Sequence, residues 1–265
     1  MPAKILSVKN ERIKAVVRLR DRDERDKTGL TIVEGRREIA RALEAHCRFQ
    51  EFYFCPKFLV ADDASLMKTI HALKIPVYES AEDVFKKIAY GERKEGVLGV
   101  CAPQQSSLED LKNRKDLFLL VVEAVEKPGN LGAILRTCDG AGVDGIIVCD
   151  EKTDIFNPNV IRASLGTVFS NRVMTGSSKE VFRYLQSQNI KVCAATPAAR
   201  DVYSDINFKG PLAIVVGSEE KGLSDFWMSR ADFKIKIPMK GKADSLNVST
   251  SAAILLYEAL RQRNT

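Results

Sequence analysis

Three short stretches in the second half of the chain concentrate residue types that hold and polarise ligands. KPGNLGAILRT (127–137) sets an asparagine, Asn130, beside two glycines and follows it with Arg136. GSEEKGLSD (217–225) places Glu219 and Glu220 directly after an apolar run. IPMKGKADSLNVST (237–250) offers Ser245, Asn247, Ser249 and Thr250 ahead of an apolar helix pattern. Each admits a plain reading. Asn130 can be a helix N-cap, as can Ser245 or Asn247, and Glu219 can cap or be solvated. Arg136 falls opposite the face made by Leu131, Ile134, Leu135, Cys138 and Ala141, so it is either a surface residue or aimed at a phosphate. Four hydroxyl and amide groups in six positions exceed what one cap needs. The only histidines, His46 and His71, lie in the first third. That disfavours Ser-His-Asp and Cys-His chemistry here. Neither G-x-G-x-x-G nor a Walker A sequence is present, which disfavours a dehydrogenase of the dinucleotide-binding kind.

The elements that must position these groups alternate. In the first part, helices are expected over 9–27, RREIARALEA, ASLMKTIHALK and AEDVFKKIA. Strands are expected at LTIVEG, FQEFYFC, IPVYES and GVLGVCA. The polar segment 105–116 reads as a linker between domains 1–104 and 117–265. The second part restarts with LFLLVVEAV, a continuous apolar run of the kind buried on both faces. Helices over 130–141, 158–168 and 178–188 then separate GIIVCD, RVMTG, IKVCAAT, LAIVVG and FKIKIPM, before a C-terminal helix. Apolar strands separated by helices imply an α/β fold with a parallel, doubly covered sheet.

The 265 residues are 45% hydrophobic and 29% charged, as in an ordinary globular protein. No apolar run reaches the ~20 residues of a membrane helix, and the N-terminus is too charged for a secretory signal; the expected location is cytoplasmic. Six cysteines without a C-x-x-C pair read as reduced core thiols, and the spacing of His46, Cys47 and Cys55 fits no standard metal site. The net charge is +6, and residues 1–27 alone hold nine Lys/Arg against five acids. Such an arm suits either polyanion contact or a solvated mixed-charge helix.

Taken together, NLGAILRT, GSEEKGLS and IPMKGKADSLNVS, in this order and spacing, resemble the three signature motifs of the SpoU-type RNA ribose 2′-O-methyltransferases of the SPOUT superfamily. RASLG (162–166) resembles a further characteristic segment. SVKNERIK and TIVEGRREI resemble the RNA-binding domain, ribosomal-protein-like in fold, that precedes the catalytic domain in ribosomal-RNA members. Glu220 departs from the pattern, since many members have glycine there. The resemblance implies a deep trefoil knot, an S-adenosylmethionine pocket built from its loops, a homodimer with a two-chain active site, and no metal. It implies catalytic roles for Asn130, Arg136, Glu219, Ser245 and Asn247. Cofactor contacts are implied at Gly217, Ile237 and Leu246, with Thr196 lining the same pocket. RNA contacts are expected at Asn10, Lys14, Arg25, Arg36 and Arg162. The implied substrate is RNA, with large-subunit rRNA favoured over tRNA. An antibiotic-resistance methyltransferase and an inactive RNA-binding assembly factor are the alternatives.

Overall fold

The computed structural model describes residues 2–90, 95–111, 114 and 116–264. The chain forms two compact units. One comprises residues 1–104 together with Phe156–Ser170, the other Gln105–Ile155 together with Asn171–Thr265.

The first unit runs β1 (Ala3–Ile5), α1 (Glu11–Arg18), α2 (Arg22–Thr28), β2 (Thr31–Glu34), α3 (Arg36–Glu44), β3 (Arg48–Phe54), α4 (Asp63–Ala72), β4 (Val77–Ser80), α5 (Glu82–Ile88) and β5 (Val97–Ala102). Its sheet has the order β1-β4-β3-β5-β2. Strands β1, β4 and β3 are mutually parallel, whereas β5 runs antiparallel to both neighbours. Ile13, Val16, Tyr53, Val84, Phe85 and Leu98 fill one side of it.

The helix expected over 9–27 is two helices. The first stops at Leu19, and Arg25 of the second turns inward to supply what that helix end lacks. Arg25 Nη1 donates to the carbonyls of Leu19 (2.9 Å) and Arg20 (2.7 Å), and the residue is 5% exposed. The expectation that Arg25 contacts RNA is therefore corrected: it is a buried structural cation.

The second unit runs β6 (Phe118–Glu123), α6 (Pro128–Ala141) and β7 (Gly145–Cys149). After the short helices α7 (Pro158–Ala163) and α8 (Thr167–Ser170), which cluster with the first unit, come β8 (Val173–Gly176), α9 (Ser178–Ser187), β9 (Lys191–Ala195) and β10 (Asp201–Val202). It closes with β11 (Leu212–Val216), α10 (Asp225–Arg230), β12 (Phe233–Lys236) and α11 (Val248–Arg263). The seven strands have the order β10-β12-β9-β11-β6-β7-β8, and every pairing is parallel. All residues of β6, β7 and β11 are buried, as continuous apolar runs require when both faces are covered.

Two further expectations change. Residues 105–116 do not form a free linker, so far as they are described. Gln105 Nε2 donates to Thr175 Oγ1 at 2.6 Å, and Leu111 at the end of a 3₁₀ turn is fully buried in the second core. Residues 112, 113 and 115 of that segment lie outside the described residues. The helix expected over 158–168 breaks at Leu165 and Gly166, which hold φ of 55° and 81°. A Cβ on Gly166 would lie 2.9 Å from Glu38 Cα, so RASLG needs its glycine where α3 approaches. Arg41 donates to the Leu165 carbonyl there, and Thr31 Oγ1 donates to the Phe156 carbonyl at 2.7 Å. All six cysteines are free and buried. Among the described residues no helix is long and apolar enough to cross a membrane.

Arg25→Ala is expected to lower the stability of the first unit by about 2 kcal/mol, read as an earlier thermal transition, because two carbonyls lose a charged donor. Burial holds the Glu38 carboxyl above the usual range, and the nearby Glu95 adds to this. A raised carboxyl favours the folded state at low pH, and that advantage is lost as pH rises through the folded value. Glu38→Gln should therefore raise the melting temperature at pH 7, with the gain vanishing below about pH 4.

Candidate functional site

Strands β9, β11 and β12 deliver their carboxyl ends to one place, where parallel α/β sheets generally bind ligands. A cavity of about 480 Å³ lies there, within the range of small-molecule sites. Its walls come from the turns after these strands and from the first two turns of α11. Thr196 enters after β9 and Gly217 after β11; Ile237, Ser245 and Leu246 enter after β12. Val216, Ile235 and Leu255 supply apolar surface, while Glu219, Glu220, Lys221 and Asp244 bring charge.

The turn after β11 is shaped by backbone. Ser218 N donates to the Gly222 carbonyl (3.1 Å), and Gly222 N returns a bond to the Ser218 carbonyl (3.0 Å). Lys221 N also donates to Ser218 Oγ at 3.2 Å. The loop closes so tightly that a Cβ on Gly217 would lie 2.2 Å from the carbonyl carbon and oxygen of Gly222. Glycine is required there by contact, not by dihedral angle. Glu219 projects from the middle of the loop.

One hydrogen-bonded chain joins the three stretches. Asn247 is the N-cap of α11, its Oδ1 accepting from Ser249 N (2.9 Å) and Ser249 Oγ (2.6 Å). Its Nδ2 donates to Asn130 Oδ1 at 3.2 Å, and Asn130 Nδ2 donates to Glu219 Oε1. The capping role considered for Asn130 does not hold. Pro128, with its fixed φ, starts α6 after Lys127, so Asn130 lies inside the first turn and its amide is left to bridge. Asn247 does cap, and still spends its other atom on the chain.

Arg136 stands apart. Leu131, Ile134, Leu135, Cys138 and Ala141 are buried as the helical wheel places them, and Arg136 is exposed on the far side. It does not line the cavity. Met228 on α10, Met239 and Ser251 do line it, although no residue-type pattern singled them out. In the first unit, Asn10 caps α1 by accepting from Arg12 N (2.9 Å), Lys14 is exposed and paired with Glu11 (2.7 Å), and Arg36 is exposed and paired with Asp62 (3.0 Å). Arg162 is half-buried and lines a small recess with Glu34, Glu38 and Glu95, a setting of opposite charge and not an open basic surface.

The fold and site define an α/β domain with a ligand cavity at the carboxyl edge of a parallel sheet, preceded by a separate α/β module. Comparison with known proteins sharpens this. Residues 117–257 match the SpoU rRNA methylase family, and residues 10–99 match the MRM3-like substrate binding domain. The chain belongs to the SpoU rRNA methylase family. It is 28% identical over 253 residues to the Bacillus subtilis 23S rRNA (guanosine(2553)-2′-O)-methyltransferase RlmP, covering 96% of this chain and 97% of that one. Among solved structures, an RNA 2′-O ribose methyltransferase superposes with a TM-score of 0.88 at 39% identity, over 99% of this chain and 100% of the other. An AdoMet-bound rRNA methyltransferase from Sinorhizobium meliloti superposes with a TM-score of 0.88 at 28% identity, over 97% of both chains.

Gly217→Ala tests whether the closed loop is an obligate packing arrangement. The added carbon meets backbone, so the loop must open at a cost of about 1–3 kcal/mol, measurable as a lower thermal midpoint.

Proposed function

We propose that this protein transfers a methyl group from S-adenosylmethionine to a ribose 2′-hydroxyl of large-subunit, 23S-type rRNA, in the cytoplasm. The observation that carries this reading is the Asn247–Asn130–Glu219 chain, which reaches through Glu219 the cavity that Thr196, Gly217, Ile237 and Leu246 line. The cavity suits such a cofactor. Its size, its apolar walls and the backbone laid bare at Gly217 fit a nucleoside, and the carboxylates of Glu219, Glu220 and Asp244 suit a positively charged sulfonium. When bound, S-adenosylmethionine supplies the electrophilic methyl carbon.

The chain's own residues then have two tasks: in-line positioning and help for a poorly acidic hydroxyl. Thr196, Gly217, Ile237 and Leu246 hold the cofactor, largely through backbone groups. The Asn247–Asn130–Glu219 chain fixes the three loops against one another. Ser245 lines the same cavity and is available to the ribose. Arg136 brings the planar cation of a guanidinium, a shape that matches a phosphate. It grips a substrate phosphate and stabilises negative charge growing on the 2′-oxygen, and the proton leaves through phosphate or water.

Because Arg136 lies outside the cavity of its own chain, it acts in a homodimer whose active site combines both chains. The turns around the cavity belong, on this reading, to a trefoil-knotted C-terminal segment. The first unit binds the RNA, with Asn10, Lys14 and Arg36 contributing; a half-buried Arg162 contributes less.

Arg136→Ala is expected to lower methyl transfer at least ~100-fold while S-adenosylmethionine binding by calorimetry stays unchanged. Near-normal turnover in that variant defeats the assignment.

A further inference from the structure

Glu123, the last residue of β6, is a buried carboxylate that the chemistry above does not use. It is 6% exposed, a rare position for an ionisable group without a bound partner. Its two short hydrogen bonds come from one residue, Ser224. Ser224 N donates to Oε2 at 2.8 Å, and Ser224 Oγ donates to Oε1 at 2.6 Å. Ser224 is the N-cap of α10 and makes no side-chain bond of its own to that helix. It also ends the loop that begins at Gly217. The strand register pairs Val122 with Val216, so Glu123 lies alongside the start of the loop whose end it grips.

A second tie holds the same helix. Trp227 Nε1 donates to Ser178 Oγ at 2.9 Å, and Ser178 Oγ lies 2.5 Å from Asp150 Oδ2 and 3.5 Å from Glu123 Oε1. The hydroxyl proton goes to the nearer acceptor, Asp150. Trp227 thus fixes α10 independently of Ser224. The next residue, Met228, lines the cavity. A merely apolar core has no use for a carboxylate here, since well-packed hydrophobic side chains serve stability as well or better.

We propose that Glu123 is a positioning residue for methyl transfer. It fixes the far end of the 217–224 loop through Ser224, and so sets both the cofactor wall and the place of Glu219. This rests on the cavity being the cofactor site. A residue that braces a binding loop shows itself in ligand affinity, whereas a residue that only supports the fold lowers the amount of active protein.

The test uses the full chain, S-adenosylmethionine itself, and a 23S rRNA transcript. Glu123→Gln and Glu123→Ala should raise the cofactor Kd and KM at least tenfold, with alanine the worse of the two because glutamine keeps one acceptor. Ser224→Ala keeps the backbone donor and should raise them three- to fivefold. In all three, emission from the single tryptophan, Trp227, should stay at its wild-type wavelength, because its bond to Ser178 is untouched. Unchanged cofactor Kd and KM in a variant with native emission overturns the proposal, whatever happens to kcat. If the Glu123 variants do not fold, Ser224→Ala, on an exposed residue, decides alone. Leu246→Trp separates the underlying reading from this one. Cofactor binding that survives it moves the cofactor out of the cavity and removes the role of Glu123 with it. Binding lost there but unchanged in Ser224→Ala removes the role of Glu123 alone.

Discussion

The amide of Asn130 donates to Glu219 and accepts from Asn247, and these two bonds hold three loops in one arrangement. The loops come from separate parts of the chain. They meet only because parallel strands deliver their carboxyl ends to the same edge of the sheet. Nothing covalent links them, and each alone is a surface turn. An asparagine suits the junction because it is both donor and acceptor, so one side chain can serve a carboxylate on one side and an amide on the other. An aspartate there offers no donor to Glu219, and a serine does not span the gap.

That junction is useful only if the parts it joins are themselves stiff. Each is. Asn130 sits in the first turn of a helix begun by Pro128, and Asn247 is held by the backbone and hydroxyl of Ser249. Glu219 rides on a loop pinched shut between Ser218 and Gly222, with no room for a side chain at Gly217. Helix α11 packs along α6, so the helices that carry Asn247 and Asn130 are also joined through their apolar faces. Stiffness of this kind lets a site without a histidine contribute to a displacement through placement and fixed charge.

The parts of this arrangement legible in the sequence were those with a local cause. The apolar runs of β6, β7 and β11, the buried face of α6 and the glycine of the 217–222 loop each follow from neighbours in the chain. The resemblance to a known family also named Thr196, Gly217, Ile237, Ser245 and Leu246, and these five line one cavity. What was not legible depended on distant partners. The amide of Asn130 looked like a cap because its real partners are 89 and 117 residues away. Arg25 looked like a surface cation because nothing local shows that α1 ends at Leu19 and leaves carbonyls for it. Segment 156–170 looked like part of the second domain, yet it packs with the first unit through Thr31, Arg41 and the close approach at Gly166. A short helix pattern carries no information about which sheet it will join.

Helical geometry forces a choice on α6: the residues that bury it against the sheet and α11 fix which way the remaining ones point. Asn130 at the start of the helix can reach the loops, while Arg136, six residues later and ~9 Å further along the axis, cannot share that direction. A single chain can therefore build the binding cavity and its brace, but not bring its own guanidinium to it. The proposed active site, which needs both, takes its cation from a second copy. On the proposed role of Arg136, dimerisation is a condition of the chemistry, and an isolated protomer binds the cofactor without placing a charge at the 2′-oxygen.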